Sequence, residues 1–354
     1  MTRRTMTLAV STGLLLLLLV AAARLPVPYI ALMPGPLYDT LGEVDGKPVI
    51  TVEGKESFTP QTGTLYLTTV RVAGAPSYAR LTLFEAVKYW VDPSIAVVPT
   101  EVEYPPGTDV EKIKEETAQQ MVDSQDAATI AAMRYLGENV TTQLVVESVT
   151  AGAPADGVLE PGDKLLSIDG VAVDSASGAE LRDLIRAHPP GDVIEIRYER
   201  AGKAVVVMIT TTAASDDPTK SLLGIGPDVQ CPCKKPFIVK IGLGEEVGGP
   251  SAGLMFTLGI IDTLTPGELT RGMSIAGTGT MDVNGNIGPI GGIKQKLIAA
   301  KRKGATAFLV PDANWEDANV SPPKGLQLRR VKALPDAVRE LCALTGATEK
   351  PCAA

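Results

Sequence analysis

The chain has 354 residues, a formal net charge of -8 and only 4% aromatic residues. An acidic chain short of aromatics offers neither the broad basic surface nor the stacking platforms of a nucleic-acid binder. One histidine, His188, and four cysteines are too few for a standard zinc site, no cofactor is implied, and the 45% apolar fraction suffices for two or three domains.

Arg3 and Arg4 precede an apolar run from Met6 to Ala23. As a helix this run spans roughly 27 Å, close to the ~30 Å hydrocarbon core of a bilayer. Residues 1–25 are thus a membrane anchor or a signal segment. Ala21-Ala22-Ala23 would serve as the cleavage site of a signal peptide, but the run is longer than the usual signal core of about 7–15 residues. The arginines set the N-terminus on the cytoplasmic side and everything after Ala23 outside, a single-pass topology. That compartment permits disulfides among Cys231, Cys233, Cys342 and Cys352, whose pairing the spacing leaves open.

Residues 26–140 form an N-terminal extracytoplasmic region of unassigned role. Pro26, Pro28, Pro34, Gly35 and Pro36 favour extended or turning chain after the membrane. Thr64–Val72 is a predicted strand and Thr82–Val91 a predicted helix. Two helical stretches are expected between Asp109 and Tyr135, with Gly137 as a stop. The eight acids between Glu101 and Asp126 suit a solvated surface.

Residues 141–213 form a β-rich unit. Leu144-Val145-Val146 opens a strand, and turns are expected at Pro161-Gly162 and Asp169-Gly170. Gly178–Ala187 carries Leu181, Leu184 and Ile185 at helical spacing, and a hairpin turns at Ala201-Gly202. The segments Gly152-Ala153-Pro154-Ala155 and Leu159-x-Pro161-Gly162-Asp163-x-Leu165-Leu166-x-Ile168-Asp169-Gly170 resemble a PDZ domain of the bacterial protease-associated type. The resemblance implies binding of peptide ends or extended segments by strand addition. Tyr135-Leu136-Gly137, just before the first strand, is the candidate carboxylate loop.

Thr211–Lys220 is a polar linker, and residues 221–349 form the last domain. Strands are expected at Phe237–Ile241 and Ala307–Val310. Helices are expected at Ser251–Leu264, at Gly291–Lys303 closed by Gly304, and at Leu334–Leu344. The alternation indicates an α/β or α+β fold.

Two glycine-rich segments of this domain carry candidate chemistry. In Gly248-Gly249-Pro250-Ser251-Ala252-Gly253, Ser251 stands where a helix begins, either as an ordinary cap or as a nucleophile beside free N–H groups. In Gly291-Gly292-Ile293-Lys294-Gln295-Lys296, Lys294 lies three and four residues before Leu297 and Ile298. It flanks an apolar stripe, where partial burial would lower its pKa toward that of a general base. Lys296 and Lys303 share a face with Ala299 and Ala300 instead. With His188 far away in sequence, a Ser-Lys pair is the available way to activate a serine.

The residues Gly249-Pro250-Ser251-Ala252-Gly253, Thr278-Gly279, and Gly285-x-Ile287-x-Pro289-Ile290-Gly291-Gly292-Ile293-Lys294-x-Lys296-Leu297-x-Ala299-Ala300 resemble the proteolytic domain of the Lon protease family. The resemblance implies Ser251 as nucleophile, Lys294 as general base, and Thr278, Gly249 and Pro250 in support. ATP-dependent members carry an acid two residues before the proline; here that position is Gly248, with Glu245 and Glu246 upstream. No Gly-x-x-x-x-Gly-Lys-Ser/Thr phosphate loop occurs in the chain. Anchor, PDZ-like unit and Lon-like unit in this order resemble the PDZ-containing Lon-like proteases of bacteria, as does Pro34-Gly35-Pro36-x-Tyr38-Asp39.

The expected protein is α+β: a transmembrane helix, a PDZ-like β-rich domain and a Lon-type proteolytic domain. The expected activity is an ATP-independent serine endopeptidase cutting extracytoplasmic or membrane-associated proteins. Its partners would be protein or peptide substrates and the membrane, and the family resemblance implies a homo-oligomeric ring. The runner-up is a catalytically silent PDZ/Lon-like scaffold.

Overall fold

A computed structural model describes residues 3–58, 62–75, 80–104, 110–173, 176–215, 217–231, 235–243 and 247–352. Cys233, Asp216, Glu245 and Glu246 lie outside the described residues. Helix α1 (Arg3–Ala23) is exposed along its apolar length and is long and apolar enough to cross a membrane; a signal sequence has the same signature. Strand β1 (Tyr29–Asp39) follows, so the proline-rich stretch is extended, with a register shift between Pro34 and Leu37. Next come β2 (Ile50–Glu53), β3 (Thr64–Ala73), α2 (Leu83–Val91), β4 (Ala96–Pro99) and α3 (Val110–Tyr135). The two helical stretches expected between Asp109 and Tyr135 are a single helix, since no glycine or proline interrupts residues 110–135.

The β-rich unit comprises β5 (Gln143–Val149), β6 (Lys164–Ile168), α4 (Gly178–Arg186), β7 (Val193–Arg200), β8 (Lys203–Thr210) and β9 (Ile225–Gln230). Its strands lie in the order β8-β7-β6-β5-β9, all antiparallel. Their inward faces, with Leu181 and Ile185 of α4, close a core around Leu144, Leu165, Ile168, Ile194 and Ile196.

The remaining chain supplies β10 (Ile238–Ile241), a 3-10 turn (Pro250–Ala252), α5 (Gly253–Leu264), β11 (Ser274–Gly277), α6 (Ile293–Lys303), β12 (Ala307–Pro311), β13 (Gln327–Val331) and α7 (Leu334–Thr345). The larger sheet has the order β13-β12-β11-β3-β1-β4. Its C-terminal strands are parallel to one another and to β3, whereas β1 runs antiparallel to β3 and β4. Strand β10 pairs with β2.

The expected division into residues 26–140 and 221–349 therefore does not hold for the strands. Residues on both sides of the β-rich unit build one sheet and one core. Leu65, Leu67, Ala128, Ile130 and Met133 pack with Leu254, Phe256, Leu258 and Ile275, all nearly inaccessible. The physical reason is that strand pairing over two hundred residues leaves no local trace in composition or periodicity. The β-rich unit is an insertion between the halves of that core. Strand β9, beyond the expected boundary at residue 213, completes its sheet.

Cys342, near the end of α7, is disulfide-bonded to Cys352, and Cys231 is also disulfide-bonded.

Candidate active site

Ser251 lies in the 3-10 turn, not in the first turn of α5. Gly249 holds φ of 87°, a conformation that glycine adopts without strain, and Pro250 then starts the turn. The turn is pinned from outside the C-terminal half. Gly249 N–H donates to the Thr117 carbonyl (3.2 Å) and Ser124 Oγ donates to the Pro250 carbonyl (3.1 Å), both from α3. The Ser251 side chain does not cap α5, whose N-cap is Ala252 without a side-chain hydrogen bond.

The hydroxyl of Ser251 instead accepts a hydrogen bond from Lys296 Nζ at 2.8 Å. The same ammonium nitrogen reaches Thr278 Oγ1 at 2.8 Å, and Thr278 Oγ1 donates to the Ser251 carbonyl at 3.0 Å. Gly279 N–H donates to that carbonyl as well. Serine, threonine and lysine thus form a closed triangle, with Thr278 fully buried and Lys296 2% exposed. Burial pushes the Lys296 pKa down to about 7, because removing water disfavours the ammonium form.

The expected pairing of Ser251 with Lys294 is not the one observed. Lys294 is exposed. At about 100° per residue, the buried residues Ile293, Gln295, Lys296, Leu297, Ala299 and Ala300 fill an arc centred near Lys296, and Lys294 lies on the opposite side. The two alanines carried the missed signal. Small side chains let α6 approach the sheet closely, so their face is the deepest one, while the neighbouring Ile298 is only half-buried. Strands β1 and β3, from before the insertion, form the floor under α6. The loop entering α6 is held by Asn314, which accepts from Ile290 N–H and donates to its carbonyl, each at 2.9 Å.

Gly253 is where the turn, α3 and the Thr280–Met281 segment converge. A Cβ there would lie 2.8 Å from Met281 N, 2.9 Å from its Cβ and 3.1 Å from Ser124 Oγ. Alanine normally favours a helix by up to ~1 kcal/mol over glycine. Here the overlap with backbone outweighs that gain. Gly253→Ala is expected to lower stability by about 1–3 kcal/mol, measured by urea denaturation; a stabilised variant would contradict the close approach.

His188 lies in the β-rich unit, with Nε2 3.1 Å from Asp169 Oδ2, and makes no contact with Ser251. Tyr135 and Leu136, expected as a carboxylate loop, pack instead against the core shared with α5. One edge of the smaller sheet is β9, which pairs only with β5 among the described residues. It is entered through Leu222-Leu223-Gly224. Gly224 accepts from Thr150 N–H, and Leu223 from Ala155 N–H. A cleft of about 270 Å³ runs between this edge and the serine loop, lined by Ser177, Gly178, Pro227 and Val229 on one side and by Ser124, Ala127, Pro250 and Met281 on the other. The two units are also joined by Asn284 Nδ2 donating to Glu180 Oε2 at 2.7 Å.

Residues 245–342 match the family model of the Lon protease (S16) C-terminal proteolytic domain, and residues 117–211 match that of the PDZ domain. The chain carries a Lon-type proteolytic domain and a PDZ domain. Over 75 residues it is 40% identical to the Lon protease of Rickettsia bellii, 21% of this chain and 9% of that protein. Over 88 residues it is 36% identical to the Lon protease of Mycolicibacterium smegmatis, 25% of this chain and 11% of that protein. The chain thus spans about a tenth of the length of these curated relatives. Among solved structures, the PDZ domain of an SdrC-like protein from Listeria monocytogenes is 32% identical, over 23% of this chain and 83% of that one, with a TM-score of 0.21. The Lon-type match covers Ser251, Thr278 and Lys296 but not α3, β1 and β3, which hold their supporting groups. The PDZ match begins inside α3 and stops before β9.

Proposed function

We propose that the chain is an ATP-independent serine endopeptidase with Ser251 as nucleophile and Lys296, not Lys294, as general base. The observation that carries this reading is a lysine buried to 2% exposure, with its amine 2.8 Å from a half-buried serine hydroxyl. A neutral amine at that distance takes the Ser251 proton as Oγ attacks the peptide carbonyl, then delivers it to the leaving amine. Thr278 accepts from Lys296 and donates to the Ser251 carbonyl, so it fixes both partners. Backbone N–H groups of the 3-10 turn that follow Pro250, near the positive end of the α5 dipole, stabilise the tetrahedral oxyanion.

ATP independence rests on the lack of a phosphate loop in these 354 residues. Substrates are then unfolded segments, exposed loops or the ectodomains of membrane proteins. An extended segment adds to the open edge of β9 and reaches Ser251 along the shared cleft. Pro227 in β9 has no N–H, so it offers an added strand no donor at that position. The reading takes α1 as a membrane anchor with the rest of the chain outside the cytoplasm. The Cys342–Cys352 disulfide supports an oxidising compartment. A ring of copies is proposed on the Lon-type match alone.

The test is casein or peptide hydrolysis with Ser251→Ala. Its activity is expected to fall by at least about 10³-fold, with unchanged thermal unfolding. Equal turnover in the variant and the wild type would remove Ser251 from the mechanism.

A further inference from the structure

Helix α2 is amphipathic in the inverse sense. Its buried side is Ala86, flanked by the half-buried Glu85 and Tyr89. Its apolar residues face outward: Leu83 is 40% exposed, Phe84 65%, Val87 50%, Trp90 77% and Val91 76%. At about 100° per residue these five fill one continuous arc roughly 120° wide. A soluble surface scatters such residues singly; a contiguous stripe ending in tryptophan marks a surface that is covered.

What covers it follows from how α2 is tied to the chain. Leu83 N–H donates to the Leu25 carbonyl and Val27 N–H to the Leu81 carbonyl, both at 2.9 Å, and Pro26 bridges to Thr82. Leu25 is two residues beyond the end of α1, a reach of at most ~7 Å. If α1 spans a bilayer, the first turn of α2 is therefore held in the polar layer, which is about 5–7 Å thick on each side of the hydrocarbon. Arg24, Arg80 and Lys88 are exposed around the stripe, as suits the anionic headgroups of a bilayer. The capping box between Thr82 and Glu85 makes α2 a preformed helix.

We propose that α2 lies in the headgroup layer of the membrane into which α1 inserts, with Leu83, Phe84, Val87, Trp90 and Val91 in the acyl boundary. The inference rests on the anchoring role given to α1 above. Its consequence is orientation. From α2 the chain passes directly to β4, which pairs with β1, and β1 underlies α6 and Lys296. Two attachments to the bilayer, α1 and α2, then fix the angle at which the serine cleft meets the membrane, where a single flexible tether would leave it free.

The experiment uses the full chain reconstituted in vesicles of phosphatidylcholine and phosphatidylglycerol. The chain has two tryptophans, so Trp315→Phe leaves Trp90 as the sole indole. With lipids brominated near the glycerol end of the acyl chain, Trp90 is expected to lose about half of its emission or more, while aqueous iodide has little effect. Trp90→Phe in the otherwise native chain is expected to remove the lipid-dependent quenching, which checks the result without the Trp315 substitution. Flotation with vesicles after alkaline carbonate reports α1 separately. A chain that floats but whose Trp90 is quenched by iodide and not by brominated lipid overturns the proposal alone. Shielding of Trp90 from both quenchers means that protein, not lipid, covers it and overturns the proposal too. A chain that does not float overturns both the anchor and the proposal.

Discussion

Lys296→Ala is expected to reduce peptide hydrolysis by at least roughly 10³-fold, whereas Lys294→Ala stays within about twofold of the wild type. The contrast is the sharpest available, because the two residues are two positions apart on one helix and differ only in the direction they face. Lys296 is 2% exposed and bonded to both Ser251 and Thr278. Lys294 is exposed. Steady-state kinetics on the two variants, with circular dichroism to verify folding, decides the matter. Full activity in Lys296→Ala, or a collapse in Lys294→Ala, would refute the assignment of the base. Lys296→Arg is expected to be inactive as well, since a guanidinium remains protonated and cannot accept the serine proton.

The second expected result is that activity and stability both depend on pH through Lys296. Activity should rise as pH passes through about 7, the value to which burial pushes the Lys296 amine, because only the neutral form is a base. A profile rising instead near pH 10 would mean that the amine keeps its ordinary affinity for protons. Stability moves in a related way. The unfolded chain holds the lysine proton up to about 10.5 and the folded chain only to about 7. Between these values the unfolded state binds more protons, so this group's contribution to stability increases as pH rises. Below pH 7 the penalty is fully present, on the order of 5 kcal/mol at about 1.4 kcal/mol per pH unit. Above about 10.5 it is gone. Lys296→Met should therefore unfold less readily than the wild type at pH 6, by about 1–4 kcal/mol, and the gap should narrow by pH 9. Denaturation midpoints at the two pH values measure it, and a gap that widens with pH would contradict the buried, neutral amine. An inactive but more stable variant is the usual signature of a site that holds an unfavourable group for function.

Much of the secondary structure was legible because it is locally written. Strand β3, helix α2 with its Thr82 cap, the hairpin at Ala201-Gly202, α6 closed by Gly304 and α7 all fall within a few residues of the expected bounds. The serine loop was legible for the same reason: glycine and proline before Ser251 dictate a turn. The lysine was not. Leu297 and Ile298 drew attention to the side of α6 that bears Lys294, but a helix packed tightly on a sheet buries the face where its side chains are smallest. Ala299 and Ala300 are 5% and 0% exposed, and Lys296, 2% exposed, shares their face of the helix.

Nor could any local pattern have found Thr117 and Ser124. They lie in an acidic stretch that suits a solvated surface, yet their helix carries Met121, Ala128 and Ile130 into the core and holds the serine loop by two hydrogen bonds. The sequence by itself determined the chemistry on offer: one histidine, a serine in a glycine-rich turn, four lysines on one helix, and an apolar N-terminal segment. Only the tertiary structure decided which lysine is withdrawn from water, and that the residues before the PDZ domain and those after it share one sheet. Burial and long-range strand pairing are properties of the packed chain, and it is burial that lowers the Lys296 pKa to about 7.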